Sequence, residues 1–171
     1  MPQVTERIFV YGTLKSGQPN HHLFEKATKE FSRFIGTAQT VDKYPLVIAS
    51  RYNIPFLLKE KGTGKHVRGE VYELDKDILA KMDDLEKHPD FYNRQSVDVK
   101  FDEDNRVNSG TDEVISCWCY FLEKYRPYLL DLPFIENYDC NTGDEAKQYV
   151  CPSDRPADDK FSHWHEVHPE H

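Results

Sequence analysis

The acid-rich run Asp83-Asp84-Leu85-Glu86 holds the strongest candidate for moving a proton. On a helix turning about 100° per residue, Ile78, Leu79, Met82 and Leu85 share one stripe, and Glu86 falls inside it, between Leu79 and Met82. Asp84 points away and Asp83 lies at the stripe's edge. A carboxylate facing a core loses hydration, which raises its pKa toward the range a general base needs at neutral pH. The partial negative charge of the helix C-terminus acts in the same sense. On the wheel alone, two plainer readings stay open: a side chain that reaches water along the stripe edge, or one paired with Arg94 or another buried donor.

The second candidate is the run Tyr11-Gly12-Thr13-Leu14-Lys15-Ser16-Gly17, which follows a short β-rich stretch from Arg7. A strand that stops at a glycine exposes successive backbone N–H groups, which can cradle a carboxylate or phosphate. Gln18-Pro19 stands where a phosphate loop would carry Lys and Ser or Thr, so a nucleotide site is disfavoured. An ordinary strand-to-loop turn is the alternative.

Other chemistry-bearing residues lack a usable spacing. Cys117 and Cys119 flank Trp118 in a strand-like run, so both point to one face and read as buried free thiols. With Cys140 and Cys151 they form neither a secreted disulfide framework nor a zinc pattern. His163, His165, His168 and His171 crowd the end of the chain beside Pro169, where no fixed coordination geometry is expected. These spacings therefore predict no metal site.

These candidates need a scaffold to bring them together. In 171 residues there is room for one core, and ten Phe, ten Tyr and two Trp supply an aromatic one. Strand-like runs at 34–41, 44–49, 54–59 and 66–74 are followed by the clearest helix, 75–87, with Asp75 at its cap and Pro89 beyond its end. Two further strands are expected at 92–101 and 114–122, a short amphipathic helix at 20–29, and a hairpin turn at 61–64. So many short strands predict a mixed sheet that curls into a barrel, within an α+β fold. The stretch from Pro152 is polar and Pro-punctuated, and is expected to be a flexible tail, 152–171, dispensable for folding and activity.

The net charge of −8 and the absence of a basic stripe argue against a nucleic-acid partner. No apolar run approaches the roughly 20 residues of a membrane span, and the opening residues lack a signal-peptide pattern. Cytosolic residence is the expectation.

Val10-Tyr11-Gly12-Thr13-Leu14-Lys15 followed by Gly17-Gln18-Pro19-Asn20 closely resembles the N-terminal signature of the γ-glutamylamine cyclotransferases, AIG2-like members of the γ-glutamylcyclotransferase superfamily. Tyr44-Pro45-Leu46-Val47-Ile48, Asn53-Ile54-Pro55, Gly69-Glu70-Val71-Tyr72, Asp83-Asp84-Leu85-Glu86 and Tyr92-Asn93-Arg94 resemble that family's later blocks, in the same order. The resemblance implies a small mixed β-barrel flanked by helices over 1–151. It also implies Glu86 as the catalytic carboxylate, and Tyr11, Gly12, Thr13 and Leu14 as the turn that binds the substrate. The implied reaction closes a γ-glutamyl arm into 5-oxoproline and releases an amine, such as lysine from γ-glutamyl-ε-lysine, without a cofactor. The partner is then a small γ-glutamyl molecule, and no oligomeric state follows. Phe56, Ser16 and the long tail depart from the family pattern and bear on substrate preference. Action on other γ-glutamyl peptides or glutathione, or a non-catalytic binding module on the same fold, are the alternatives.

Overall fold

A computed structural model of the chain describes residues 5–19, 21–22, 32–86, 88, 91–102, 114–140, 149–150, 154 and 164–167. The described residues form seven strands: β1 (Thr5–Val10), β2 (Ser32–Thr40), β3 (Leu46–Ala49), β4 (Ile54–Leu57), β5 (Arg68–Asp75), β6 (Asn93–Phe101) and β7 (Val114–Phe121). A helix spans Lys76–Leu85, a 3-10 helix Pro127–Asp131 and a single helical turn Trp164–Val167. The predicted helix at 20–29 lies almost wholly outside the described residues, as does most of 152–171.

Five strands close into a barrel in the order β1-β5-β2-β6-β7. Neighbours pair antiparallel, and the ring shuts where β1 meets β7 in parallel, with Ile8 opposite Trp118. Because side chains alternate along a strand, each strand feeds two cores. Phe9, Val71, Val97, Val99, Cys117, Cys119 and Phe121 fill the barrel. Their neighbours Ile8, Val10, Tyr72, Leu74 and Tyr120 point outward and bury the Ile78, Leu79 and Met82 face of the helix. Cys117 and Cys119 are indeed buried free thiols, and burial pushes the Cys117 thiol up to about 12.

The Lys76–Leu85 helix forms where its sequence directs. The Asp75 carboxylate accepts a hydrogen bond from the Ile78 N–H at 2.8 Å, satisfying one of the donors a helix start leaves open. Glu86 is its C-cap residue.

Strands β3 and β4 form a separate hairpin. Its turn lies at 50–53, where Ser50 and Asn53 adopt positive φ values of 68° and 54°. Residues 61–64 do not make the expected hairpin, because the strands on either side of them pair elsewhere: β4 with β3, and β5 with β1 and β2. That loop folds back on residues 43–45 instead. The Gly62 N–H bonds the Lys43 carbonyl at 2.9 Å, and Gly64, at φ +94°, lies so close to Tyr44 that a Cβ would stand 2.4 Å from its carbonyl oxygen.

The outer face of the hairpin carries Val47, Phe56 and Leu58 into a third core, shared with Leu129 of the 3-10 helix and with Val167. The residues described beyond Pro152 are thus not all free of the core. Val167 is fully buried, its carbonyl accepts the Arg126 N–H at 2.7 Å, and Glu166 takes the Arg51 backbone N–H at 2.9 Å.

Candidate active site

Strand order and helix length decide what meets Glu86. Strand β5 runs antiparallel to β1 with Asp75 opposite Thr5, so the helix that follows starts beside the beginning of β1. Ten residues at roughly 1.5 Å each return about as far as six strand residues advance. The end of the helix therefore arrives at the end of β1. One cleft there is lined by the Tyr11–Leu14 turn, by Glu86, by Ile54 and Pro55 of the β3-β4 hairpin, and by Tyr92 and Tyr120. Residues 75 positions apart in the chain share one small space.

Glu86 keeps partial exposure to the cleft, yet the protein around it strips enough water to raise its carboxyl to about 7. Desolvation is the cause. Of the two plainer readings, pairing with Arg94 does not occur: Arg94 binds Asp83 through two bonds of 2.7 and 3.1 Å, with its guanidinium stacked 4.4 Å from the Trp118 ring centre. Among the described residues, no ion pair and no side-chain hydrogen bond reaches the Glu86 carboxylate. Asp84 is exposed, as its place on the wheel requires.

The turn is held in place from several sides. The Lys15 N–H closes it on the Gly12 carbonyl at 3.1 Å. Gly12 faces the hairpin so closely that a Cβ would lie 2.9 Å from the Pro55 ring, so glycine is required by space. Below the turn, Lys15 is buried, and its ammonium donates to Asn137 Oδ1 at 2.7 Å and to the Tyr138 carbonyl at 2.6 Å. Its burial lowers the Lys15 pKa, while the nearby Glu70 and Asp139 act in the opposite sense. Ser16 donates its backbone N–H to Glu70, and the Gln18 side-chain oxygen accepts the Cys140 N–H. This anchoring by Lys15 has no counterpart in the sequence reading, since residues 137–140 carry no signal that they return to the first loop.

Two tyrosines connect the turn to the helix. Tyr11 donates its hydroxyl to the Tyr120 carbonyl at 2.6 Å, and Tyr120 donates its own hydroxyl to Asp83 Oδ1 at 2.7 Å. Burial pushes both phenols up, and the charge on Glu86 adds to the effect on each. Sequence blocks had marked Pro55 and Tyr92, but nothing in spacing marked Tyr120; strand alternation puts it on the helix side with Trp118. No group of three or more His, Cys, Asp or Glu poised for a metal occurs among the described residues. Nor does any described helix have the length and apolarity to cross a membrane.

A small closed barrel with a desolvated carboxylate facing a strand-end turn is an arrangement suited to an enzyme that moves protons in a small cleft. The family model described as "Gamma-glutamyl cyclotransferase, AIG2-like" matches residues 8–140, and the chain belongs to that family. It is 44% identical over 154 residues to gamma-glutamylaminecyclotransferase C of Danio rerio, covering 90% of this chain and 99% of that one. It is 42% identical over 132 residues to the gamma-glutamylaminecyclotransferase of Rattus norvegicus, covering 77% and 88%. In structure it resembles an AIG2-like protein of Mus musculus with a TM-score of 0.77 at 37% identity, across 88% of this chain and 99% of that one. The mixed, sheet-dominated fold expected from the sequence is thus shared with a solved structure.

Proposed function

We propose that the chain is a γ-glutamylamine cyclotransferase that converts a γ-glutamyl amine, such as γ-glutamyl-ε-lysine, into 5-oxoproline and the free amine. The observation that carries this reading is Glu86: a desolvated carboxylate near pKa 7, without a side-chain partner among the described residues, in the same cleft as the Tyr11–Leu14 turn. The nucleophile is the substrate's own α-amino group. Glu86 takes a proton from the α-ammonium, and the freed amine attacks the γ-carbonyl carbon to form the new ring C–N bond. As the bond from that carbon to the leaving nitrogen breaks, Glu86 gives this proton to the departing amine, and the re-ionised carboxylate passes the second proton shed by the ring nitrogen to the same amine, which leaves as an ammonium. No water is consumed.

Tethering makes the attack intramolecular, so most of the enzyme's work is to fold the arm and carry protons from the attacking nitrogen to the leaving one. A base near pKa 7 suits both halves, being mostly ionised above neutrality and still acidic enough to donate afterwards. The backbone of the turn receives the γ-glutamyl part, its N–H groups holding the α-carboxylate or polarising the γ-carbonyl. Relatives named gamma-glutamylaminecyclotransferase support this choice of substrate over γ-glutamyl dipeptides or glutathione. An acidic chain without a membrane-crossing helix among its described residues is consistent with work on a small soluble substrate in the cytosol.

The test is to incubate purified protein with γ-glutamyl-ε-lysine, γ-glutamyl-alanine and glutathione and to quantify 5-oxoproline. Preferential release from the lysine conjugate is expected. Faster release from the dipeptide or glutathione would shift the assignment to that substrate, and no 5-oxoproline from any of them would refute it.

A further inference from the structure

The two phenols bound into the site differ in what they have left to offer a ligand. Tyr11 donates to the Tyr120 carbonyl deep among buried residues, and the Leu57 backbone acts on its phenol as well. Tyr120 is different. Its proton is directed to the Asp83 carboxylate, which offers acceptors only and is also held by two bonds from Arg94. The Tyr120 oxygen is therefore left with acceptor capacity alone, on a residue that lines the cleft and lies near enough to Glu86 for its phenol to feel the carboxylate's charge.

An acceptor oxygen beside a carboxylate matches a ligand group carrying several protons and a positive charge. We infer that Tyr120 is a substrate-binding residue, whose oxygen, kept proton-free on the cleft side by the Asp83–Arg94 pair, accepts a hydrogen bond from the substrate's α-ammonium while Glu86 accepts another. This inference rests on the cyclotransferase reading, and adds to it a residue that aims the nucleophilic nitrogen. An ammonium held at two points is fixed close to the γ-carbonyl, so that once Glu86 has taken its proton only a rotation about the Cα–N bond is needed to bring the new lone pair onto the carbonyl carbon. Asp83 and Arg94 act through Tyr120 and are positioning residues. The site accordingly selects for a free, cationic α-amine, and an N-acylated γ-glutamyl amine lacks the proton count to fill it.

The experiment compares wild type with Tyr120→Phe and Asp83→Asn, using γ-glutamyl-ε-lysine as substrate and its des-amino analogue, glutaryl-ε-lysine, as a competitive inhibitor. Tyr120→Phe removes the acceptor and keeps the ring. Its kcat/KM for the substrate is expected to fall about tenfold to a hundredfold, the usual effect of one hydrogen bond to a charged group, while the inhibition constant of the analogue stays within about twofold. Asp83→Asn keeps the phenol in place but can donate to it, letting the phenol proton turn toward the cleft. It should show the same selective loss, so the inference remains testable if Tyr120→Phe proves unstable in a melt. A Tyr120→Phe enzyme with wild-type kcat/KM, or parallel losses for substrate and analogue in both variants, overturns the inference in favour of a packing role. Failure of the cyclotransferase reading itself appears separately, as wild type that makes no 5-oxoproline.

Discussion

The Lys15 ammonium lies 2.6 Å from the Tyr138 carbonyl oxygen, binding the loop that begins the chain's first turn to a segment more than a hundred residues later. A buried cation satisfied by two oxygens of one segment is a strong local tie. Lys15→Met keeps the aliphatic stem but leaves the Asn137 and Tyr138 oxygens without their donor. It is expected to cost about 1–3 kcal/mol in denaturant unfolding and to raise KM more than it lowers kcat, since the Tyr11–Leu14 turn loses its support. An unchanged unfolding midpoint would show that the tie is not needed.

Glu86→Gln preserves shape and removes the ability to accept a proton. Turnover should fall by roughly 10² to 10⁴ with the fold intact, the range general-base catalysis supplies. Asp84→Asn, on an exposed position of the same helix, is the internal control and should stay within about 0.5 kcal/mol of wild type. Normal 5-oxoproline production by a folded Glu86→Gln protein would remove Glu86 from the mechanism.

The same substitution has a pH-dependent signature in stability. The native carboxyl is raised to about 7 from an ordinary 4.5. Below the lower value it is neutral whether folded or not, and nothing is lost. Between the two, the unfolded chain ionises first, so wild type loses stability as pH rises and reaches its full loss above about 7. At about 1.4 kcal/mol per pK unit the ceiling is roughly 3 kcal/mol. Glu86→Gln should therefore melt above wild type at pH 8 and converge with it near pH 4.5. A stability difference that does not vary with pH would contradict a raised native pKa.

Gly12→Ala places a methyl 2.9 Å from the Pro55 ring, which has no flexible end to swing aside. The hairpin or the turn must move. A loss of about 1–3 kcal/mol and a several-fold rise in KM are expected, measured by urea unfolding and substrate titration. Wild-type values for both would mean that the cleft wall yields at little cost.

Removing residues 164–171 deletes the buried Val167 and leaves the Arg126 N–H without its carbonyl. Burial of a valine side chain and one backbone bond together point to a loss of about 2–4 kcal/mol, read as a lower thermal transition. The effect should reach the cleft, because Arg51 and Tyr52, next to Ile54 and Pro55, are held by Glu166 and by the Val150 N–H. This replaces the view of the whole stretch from Pro152 as dispensable. An unchanged melt on truncation would restore it.

Much of this protein was legible in local pattern. The alternation of apolar residues located the seven strands to within a few positions, Asp75 announced the helix, and the wheel placed Asp84 outside and Glu86 toward the core, because these depend on repeats of two and 3.6 residues that the chain carries in itself. The ordered motif blocks further pointed to the family that the comparisons show. Pairing was another matter. The loop at 61–64 has the composition of a hairpin turn, yet whether its flanking strands pair depends on partners offered by β1, β2 and β3, which no local window contains. Whether Arg94 pairs with Glu86 was likewise open, until strand β6 set the height of the guanidinium and gave it Asp83, less than a helical turn away. Buried Lys15, the docking of Val167 on the hairpin core and the arrival of Tyr120 at the cleft were all decided by tertiary packing, since each is a contact between segments far apart in the chain, whose geometry exists only once the chain has folded.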